Sequence, residues 1–497
     1  MNKKIIIIGG GIAGLSAGCY GRMNGYDTEI FEMHKRPGGQ CTAWTRKGYT
    51  FDGCIHWLVG SSPANNFYEI WAELGAVQGR QMIDHEEFMR IEDENGKTFI
   101  VYTNIDRFEA HLKELSPTDS PLIEEFANLT RLLVDFNIPL EKPLELMNLR
   151  DFLKLYKKNK PQLKAFMKYN KITMIDFASR FKDPFLRRMF PKIFGLDDFS
   201  ISGLFCTLAW MHNRCAGYPL GGSLEFSKAI EKRYLDLGGE IHYGSRVEKI
   251  LVEKKRAIGV KVSDGSEHFA DTVISAADGH ATIFDMLDGK YINRKIRNIY
   301  DTFPVFPPLV MVFFGVNRDF SSEPHSLVYF FDKPVEITGK KQEEISVKHM
   351  CYDPTMAPSG KSVVTVMMKA NYEYWENLYK DKERYNAEKK KIADIVASEI
   401  EKRYPGFKSQ IEVTDVATPM TCVRYTGVWK AAFEGWLPTP KTFGYRIKKR
   451  LPGLKNFYMI GQWVEPGGGL PPAAKSGRDV IHILCKKNKK NFITTKP

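Results

Sequence analysis

The chain opens with "KKIIIIGGGIAGLSAG", residues 3–18, in which four isoleucines run directly into three glycines and Gly14 follows at a fixed stride. Stiff β-branched residues in a short unbroken apolar run suit a strand buried on both faces. The glycines then make a turn that no side chain can crowd. Gly9 permits the tight bend, Gly11 lets a pyrophosphate reach the backbone, and Gly14 lets the next helix pack on the strand. That helix begins at Ile12 and Ala13, so its free N–H groups and positive dipole end face the phosphates. A second strand, "DTEIFE", ends in Glu32 and is followed by Met33. An acid at this distance from the turn accepts both hydroxyls of an adenosine ribose and disfavours a 2′-phosphate. The opening therefore asks for a dinucleotide.

A chain of 497 residues holds about two or three domains. The α/β pattern of the opening does not stay in one piece. It covers 1–65, returns at 217–290 with "GYPLGGSLEFSKAI" and "ADTVISAAD", and returns again at 441–497 with "LKNFYMIGQWVEPGGGLPPAAKSGRDVIHIL". Residues 66–216 read as helical, aromatic and basic, with few strand signals. Residues 291–440 read as apolar strands with one long charged helix near 383–403. The expected fold class is α/β: a Rossmann-like dinucleotide domain assembled from three segments, with an inserted α+β substrate domain made of a mixed sheet and a basic helical part. The tail "KKNKKNFITTKP" reads as disordered.

Eight cysteines without a C-x-x-C spacing read as reduced thiols. Cys54 and His56 lie close in sequence but find no further ligand pair, so no metal site is expected. The first strand begins too early for a signal peptide, and the longest apolar run, "LVMVFFGV" at 309–316, is far shorter than a membrane span. A cytoplasmic protein is expected. The net charge of +13 suits an acidic partner, and 150–198 holds thirteen Lys and Arg against five Asp. Because Leu155, Tyr156, Phe166, Met167 and Tyr169 interleave with these bases, residues 150–195 are expected to dock peripherally on an anionic membrane at its inner face; the competing reading is a solvated basic face. No nucleic-acid-binding module is recognisable. No second G-x-G-x-x-G follows a strand after residue 40, which leaves no dedicated NAD(P) domain. Oxygen, a quinone or a transient reductant remain open as electron partners.

Four stretches together resemble a known family: the opening, the Gly38–Gly39 pair with "GYTFDG", the central "YPLGGSLEFSKAI…VISAAD", and "FYMIGQWVEPGGGLPPAAKSGR". In this order they are similar to flavoproteins of the phytoene desaturase, carotenoid isomerase and retinol saturase group, within the amine-oxidase-like FAD fold. The resemblance implies non-covalent FAD held by Gly9, Gly11, Ile12, Ala13, Gly14, Glu32 and Met33 along its dinucleotide part. Gly38, Gly39 and Gln40 would pass beside the cofactor, and Val247 would meet the adenine through its backbone. Gly461, Glu465, Gly468, Gly469 and Leu470 would hold the flavin end, with the helix after Gly469 aiming N–H groups at the ring edge where charge collects on reduction. Gln40 stands where desaturases of the group usually have arginine, and "FDGCIHWLVG" is closer to the saturase-like pattern. Desaturation, saturation and isomerisation therefore all stay open.

The resemblance also implies a lipophilic polyene or isoprenoid substrate and places His56, Trp57, Arg424 and Tyr425 near the reacting end, with Trp436 close by. His56 could move a proton or be a hydrogen-bonded structural residue. Amine oxidation is disfavoured because no cage for a cationic substrate is evident. A non-catalytic prenyl-lipid carrier of the same fold is disfavoured by the intact phosphate glycines and Glu32.

Overall fold

The computed structural model describes residues 3–137, 139–337, 340–445 and 447–497. Its first sheet is five-stranded and parallel throughout, in the order Phe457–Met459, Thr272–Ser275, Lys4–Ile8, Asp27–Glu32, Glu240–Tyr243. Strands from three separated stretches of chain thus share one sheet. Lys4–Ile8 lies at its centre and alternates between two cores. Ile5 and Ile7 pack with Leu15, Phe226, Ile230 and Val480, from the helices Ile12–Met23, Gly222–Asp236 and Leu470–Lys487. Ile6 and Ile8 point the other way, onto Val247, Ile250 and Val260 of a small three-stranded antiparallel sheet. A strand covered on both faces has no polar side to show, which is why it reads as an unbroken isoleucine run.

The second sheet has seven strands, in the order Ile411–Ala417, Leu309–Val316, Ser362–Lys369, Lys340–His349, Ser326–Ile337, Glu87–Glu92, Thr98–Tyr102. The last two belong to the stretch that reads as helical, and Glu87–Glu92 joins parallel to Ser326–Ile337 through Leu327 beside Arg90. One face of this sheet is apolar: Val310, Val312, Phe314, Val364 and Val366 pack on Ile392, Val396 and Ile400 of the helix Lys382–Arg403. The opposite face, carrying Leu309, Met311, Val328, Ser346 and Lys348, looks into a cavity. A helical layer closes over it around Phe108, Phe126, Phe177, Phe190 and Phe205.

Two expectations need correction. The tail folds back onto the opening helix instead of hanging free. Phe492 stacks on His482 at 4.4 Å, the Ile493 N–H donates to the Asn24 Oδ1 at 2.9 Å, and Lys496 pairs with Glu69 at 2.6 Å. The apolar residues of 150–195 also divide differently. Tyr169 is buried and donates to Glu125 at 2.6 Å, while Leu155 and Phe166 face the cavity. Tyr156 and Met167 stay on the outside, joined by Leu149, Phe152 and Leu153. Helical periodicity, which linear interleaving ignores, sets this division between the short helices Leu149–Lys158 and Lys160–Tyr169. Among the described residues no helix is long and apolar enough to cross a membrane.

Candidate cofactor and substrate cavity

One cavity of about 1640 Å³ runs from the glycine turn, past the inward face of the large sheet, to the helices Leu149–Lys158 and Lys160–Tyr169. Gly9, Gly11, Ile12, Ala13, Glu32, Met33, Gly38, Gly39, Gln40, Val247, Gly461, Gly468, Gly469 and Leu470 all line it. Two of the expected cofactor residues do not. A Cβ on Gly14 would lie 1.9 Å from the Gly9 carbonyl oxygen, so this glycine serves helix-on-turn packing behind the wall. The Glu465 carboxylate is turned away and paired with Lys449 at 2.8 Å.

The residues at the turn fit a phosphate-bearing cofactor. Gly9 sits at φ +98°, where an L side chain is strained. Gly11 differs: its φ is −71°, and a Cβ there would meet nothing nearer than the Gly38 oxygen at 3.7 Å. The protein itself leaves room for a methyl group at Gly11, so the bare backbone keeps space open for a ligand. No side chain caps the helix that follows, and its first-turn N–H groups open onto the cavity. The Glu32 carboxylate accepts from the Gly10 N–H at 2.6 Å and the His34 N–H at 2.7 Å. Burial pushes its pKa up and these backbone donors pull it back. Each oxygen retains a second acceptor position for a ribose hydroxyl.

The loop Gly38–Gln40 is drawn to the turn by the Gly38 N–H, which donates to the Gly10 oxygen at 2.9 Å. At the far end of the cofactor stretch, Gly469 precedes the helix Leu470–Lys487, whose N-terminus also lacks a side-chain cap and carries Pro471 in its first turn. The two helices are locked together: Ser16 Oγ donates to the Ala474 oxygen at 2.7 Å, and a Cβ on Gly477 would lie 2.5 Å from the Ala13 oxygen. Ser16 and Gly477 were not singled out from sequence, because a helix-contact glycine has no local signature.

The expected catalytic residues separate. His56 and Trp57 line the cavity beyond Gly53 and Cys54, and Trp57 packs edge-on against Phe88 at 5.2 Å. Burial, aided by the charge of Lys348, holds the His56 pKa well below the usual imidazole range. Neither of its ring nitrogens has a hydrogen-bond partner among the described residues. Cys54 has turned to the Cys41 thiol instead of to His56. Arg424 and Tyr425 sit elsewhere, at the nucleotide end. The Tyr425 ring meets His34 edge-on at 5.0 Å and is 42 % exposed, which places it on the rim instead of in a dry reacting site. Trp436 lies behind the wall, packed at right angles on Trp463 at 5.0 Å.

Two wall residues escaped the sequence reading. Glu434 lies against the Gly468 backbone, where a Cβ would come within 2.2 Å of the Glu434 oxygen, and burial pushes its carboxyl up to about 7. Lys348 projects from the sheet, and burial pushes its amine down to about 7. Both sit where a proton can be exchanged near neutral pH.

The flavin containing amine oxidoreductase family matches residues 12–480. Among curated proteins, the chloroplastic prolycopene isomerase of Arabidopsis thaliana is 25% identical, covering 97% of this chain and 82% of its own. The lycopene-forming phytoene desaturase of Pseudescherichia vulneris is 26% identical over 97% of this chain and 99% of its own. Among solved structures, an oxidoreductase from Methanosarcina mazei superposes with a TM-score of 0.61 at 17% identity, covering 96% of this chain and 100% of that one, which supports the fold. An uncapped helix end on a bare Gly11, a buried carboxylate at Glu32 and a family match over most of the length converge: the chain belongs to the flavin containing amine oxidoreductases and is an FAD-dependent oxidoreductase.

Proposed function

We propose that the enzyme changes the hydrogen content of C–C bonds in a long polyene isoprenoid that it draws from an anionic membrane surface. The observation that carries this reading is the cavity. Its volume of about 1640 Å³ takes in the cofactor residues and, continuous with them, a deep chamber behind the large sheet. Past the cofactor residues its wall includes Phe88, Leu155, Leu163, Phe166, Phe194 and Met311, and among the described residues no cage of carboxylates for an amine is formed. Bound FAD would supply two-electron exchange with substrate carbon. The chain's own residues orient the substrate, exclude water and offer Glu434 and His56 as groups that could hold or move a proton. The relatives named above are called an isomerase and a desaturase of carotenoids, and both carry out chemistry on such chains.

The membrane part of the proposal rests on the helices that close the cavity. Their inner sides give Leu155, Leu163 and Phe166 to its wall. Their outer sides expose Leu149 (74 %), Leu153 and Met167 (70 %), beside the exposed Lys154, Lys157, Lys158, Lys160 and Lys164. Apolar residues ringed by lysine on the surface of a cavity mouth suit interfacial docking. A substrate could then pass from lipid to the FAD residues without crossing water.

The test is anaerobic incubation of the FAD-loaded enzyme with a carotenoid-rich lipid extract, following flavin absorbance and product mass together. A product differing by two hydrogens, with a matching change in flavin colour, is expected. Unchanged mass with altered retention would assign the isomerase reaction instead, and no altered polyene under oxidising or reducing conditions would refute the proposal.

A further inference from the structure

The inward face of the Lys340–His349 strand carries more polarity than a hydrocarbon needs. Gln342, Glu344, Ser346 and Lys348 alternate toward the cavity. Glu344 is taken by Lys192 at 2.6 Å, and Gln342 donates to the Lys369 oxygen at 3.1 Å. Lys348 is different: its ammonium has no hydrogen-bond or ion-pair partner among the described residues. His56 lines the same cavity, equally without a partner. The Lys348 charge also reaches His85 and His325, which stack face to face at 3.7 Å. Burial keeps all three imidazoles neutral. Asp52 is the carboxylate whose charge reaches Lys348. Its oxygens are already bound by the Ser223 N–H at 2.6 Å, the Ser223 hydroxyl at 2.7 Å and the Cys54 N–H at 3.0 Å. A buried amine beside neutral rings and a committed acid is unfavourable until an anion arrives.

We propose that Lys348 and His56 form a carboxylate-binding pole of the cavity, so that the preferred substrate is a long apolar chain ending in an acid. This rests on the reading of the cavity as a polyene site and names the end group of that polyene. The ammonium supplies a charge-assisted hydrogen bond to one carboxylate oxygen, and an imidazole N–H supplies a second bond to the other. The remaining wall, Phe88, Phe194 and Val328, accommodates the chain itself. Burial has lowered the Lys348 pKa to about 7, and an arriving carboxylate would restore its proton.

The experiment compares all-trans retinoic acid with its methyl ester, which keeps the polyene and removes the charge. Both are titrated into FAD-loaded wild-type protein, Lys348→Met and Lys348→Arg, with the flavin spectrum checking that each variant is folded and loaded. Wild type should bind the acid about tenfold or more tighter than the ester, the scale of one charged hydrogen bond. Lys348→Met should bind the two alike, and Lys348→Arg should keep the preference. Equal binding of acid and ester by wild type, or a preference that survives in Lys348→Met, overturns the carboxylate pole while leaving the polyene reading standing. If neither ligand binds wild type, the polyene reading falls and the pole falls with it.

Discussion

Replacing Gly11 by alanine should leave the stability of the cofactor-free protein nearly unchanged and make its grip on FAD much weaker. At φ −71° and ψ 178° the Gly11 backbone occupies a region open to any residue. The added methyl would meet the Gly38 oxygen at 3.7 Å and the Gly39 Cα at 3.9 Å, both ordinary contacts. No contact in the folded protein resists it, and only the poorer fit of alanine at this N-cap opposes it, by up to about 1 kcal/mol. Removing a glycine's freedom from the unfolded chain then adds about 0.4–1 kcal/mol of stability. The cofactor meets the opposite situation, because the methyl occupies the space through which a pyrophosphate reaches the helix N–H groups. Overpacking of this kind costs about 1–3 kcal/mol, or about 5- to 150-fold in affinity. Titration of FAD into apoprotein, paired with thermal melts of the apoprotein, reads both effects. Gly14→Ala is the contrast, since its methyl would lie 1.9 Å from the Gly9 oxygen and should destabilise the apoprotein itself. Unchanged FAD affinity in Gly11→Ala, or an apoprotein destabilised as much as in Gly14→Ala, would refute the assignment of this turn to the phosphates.

Other outcomes follow from the same geometry. His56→Ala should lower turnover by about 10²-fold with FAD still bound if the unpartnered imidazole moves a proton, and a loss below about threefold in steady-state assays would make it structural. Replacing Lys157, Lys158, Lys160 and Lys164 together by glutamine should release the protein from anionic vesicles in flotation, since each base near such a surface contributes about 1 kcal/mol; the flavin spectrum should not change. Stability of the apoprotein should carry a signature of Lys348. Its amine releases its proton near pH 7 when folded but holds it to about pH 10.5 when unfolded, so the unfolded chain binds more protons in between and stability should rise with pH across that window. Denaturant titrations of wild type and Lys348→Met should differ there by a rise that the variant lacks.

How much of this was legible in the sequence depended on whether the reason for a residue was local. Gly9, Gly11 and Glu32 stand in the order a dinucleotide demands, so turn, helix and acid could all be placed from residues 3–32. The four isoleucines marked a strand covered on both sides for the same reason. The strand Lys340–His349 carries no sequence signal of a site, because alternating polar residues suit a face in water as well as a cavity wall. Its polar side is covered by the helical layer and looks into the cavity, so Lys348 was invisible as a site residue. Glu87–Glu92 and Thr98–Tyr102 were missed because two short strands within a helix-rich stretch gain their meaning from a partner more than two hundred residues away, at Leu327. Arg424 and Tyr425 were assigned to the reacting end through the resemblance alone, and the helix Pro419–Thr426 carries them to His34 instead. Glu465 looked like a cofactor residue from its place beside the glycine loop, but Lys449, sixteen residues earlier, holds its carboxylate.

FAD residues and a largely apolar chamber share one cavity, and we propose that its mouth docks on lipid. The most direct measurement mixes the FAD-loaded enzyme, oxidised in one run and reduced in another, without oxygen, with phytoene or lycopene carried in anionic or in neutral vesicles, and follows the flavin absorbance in time. The account predicts a rapid change of flavin colour in one of the two redox runs, matched by a polyene altered by two hydrogens and much faster from anionic than from neutral vesicles. A flavin that never changes, with every polyene recovered intact, would contradict it.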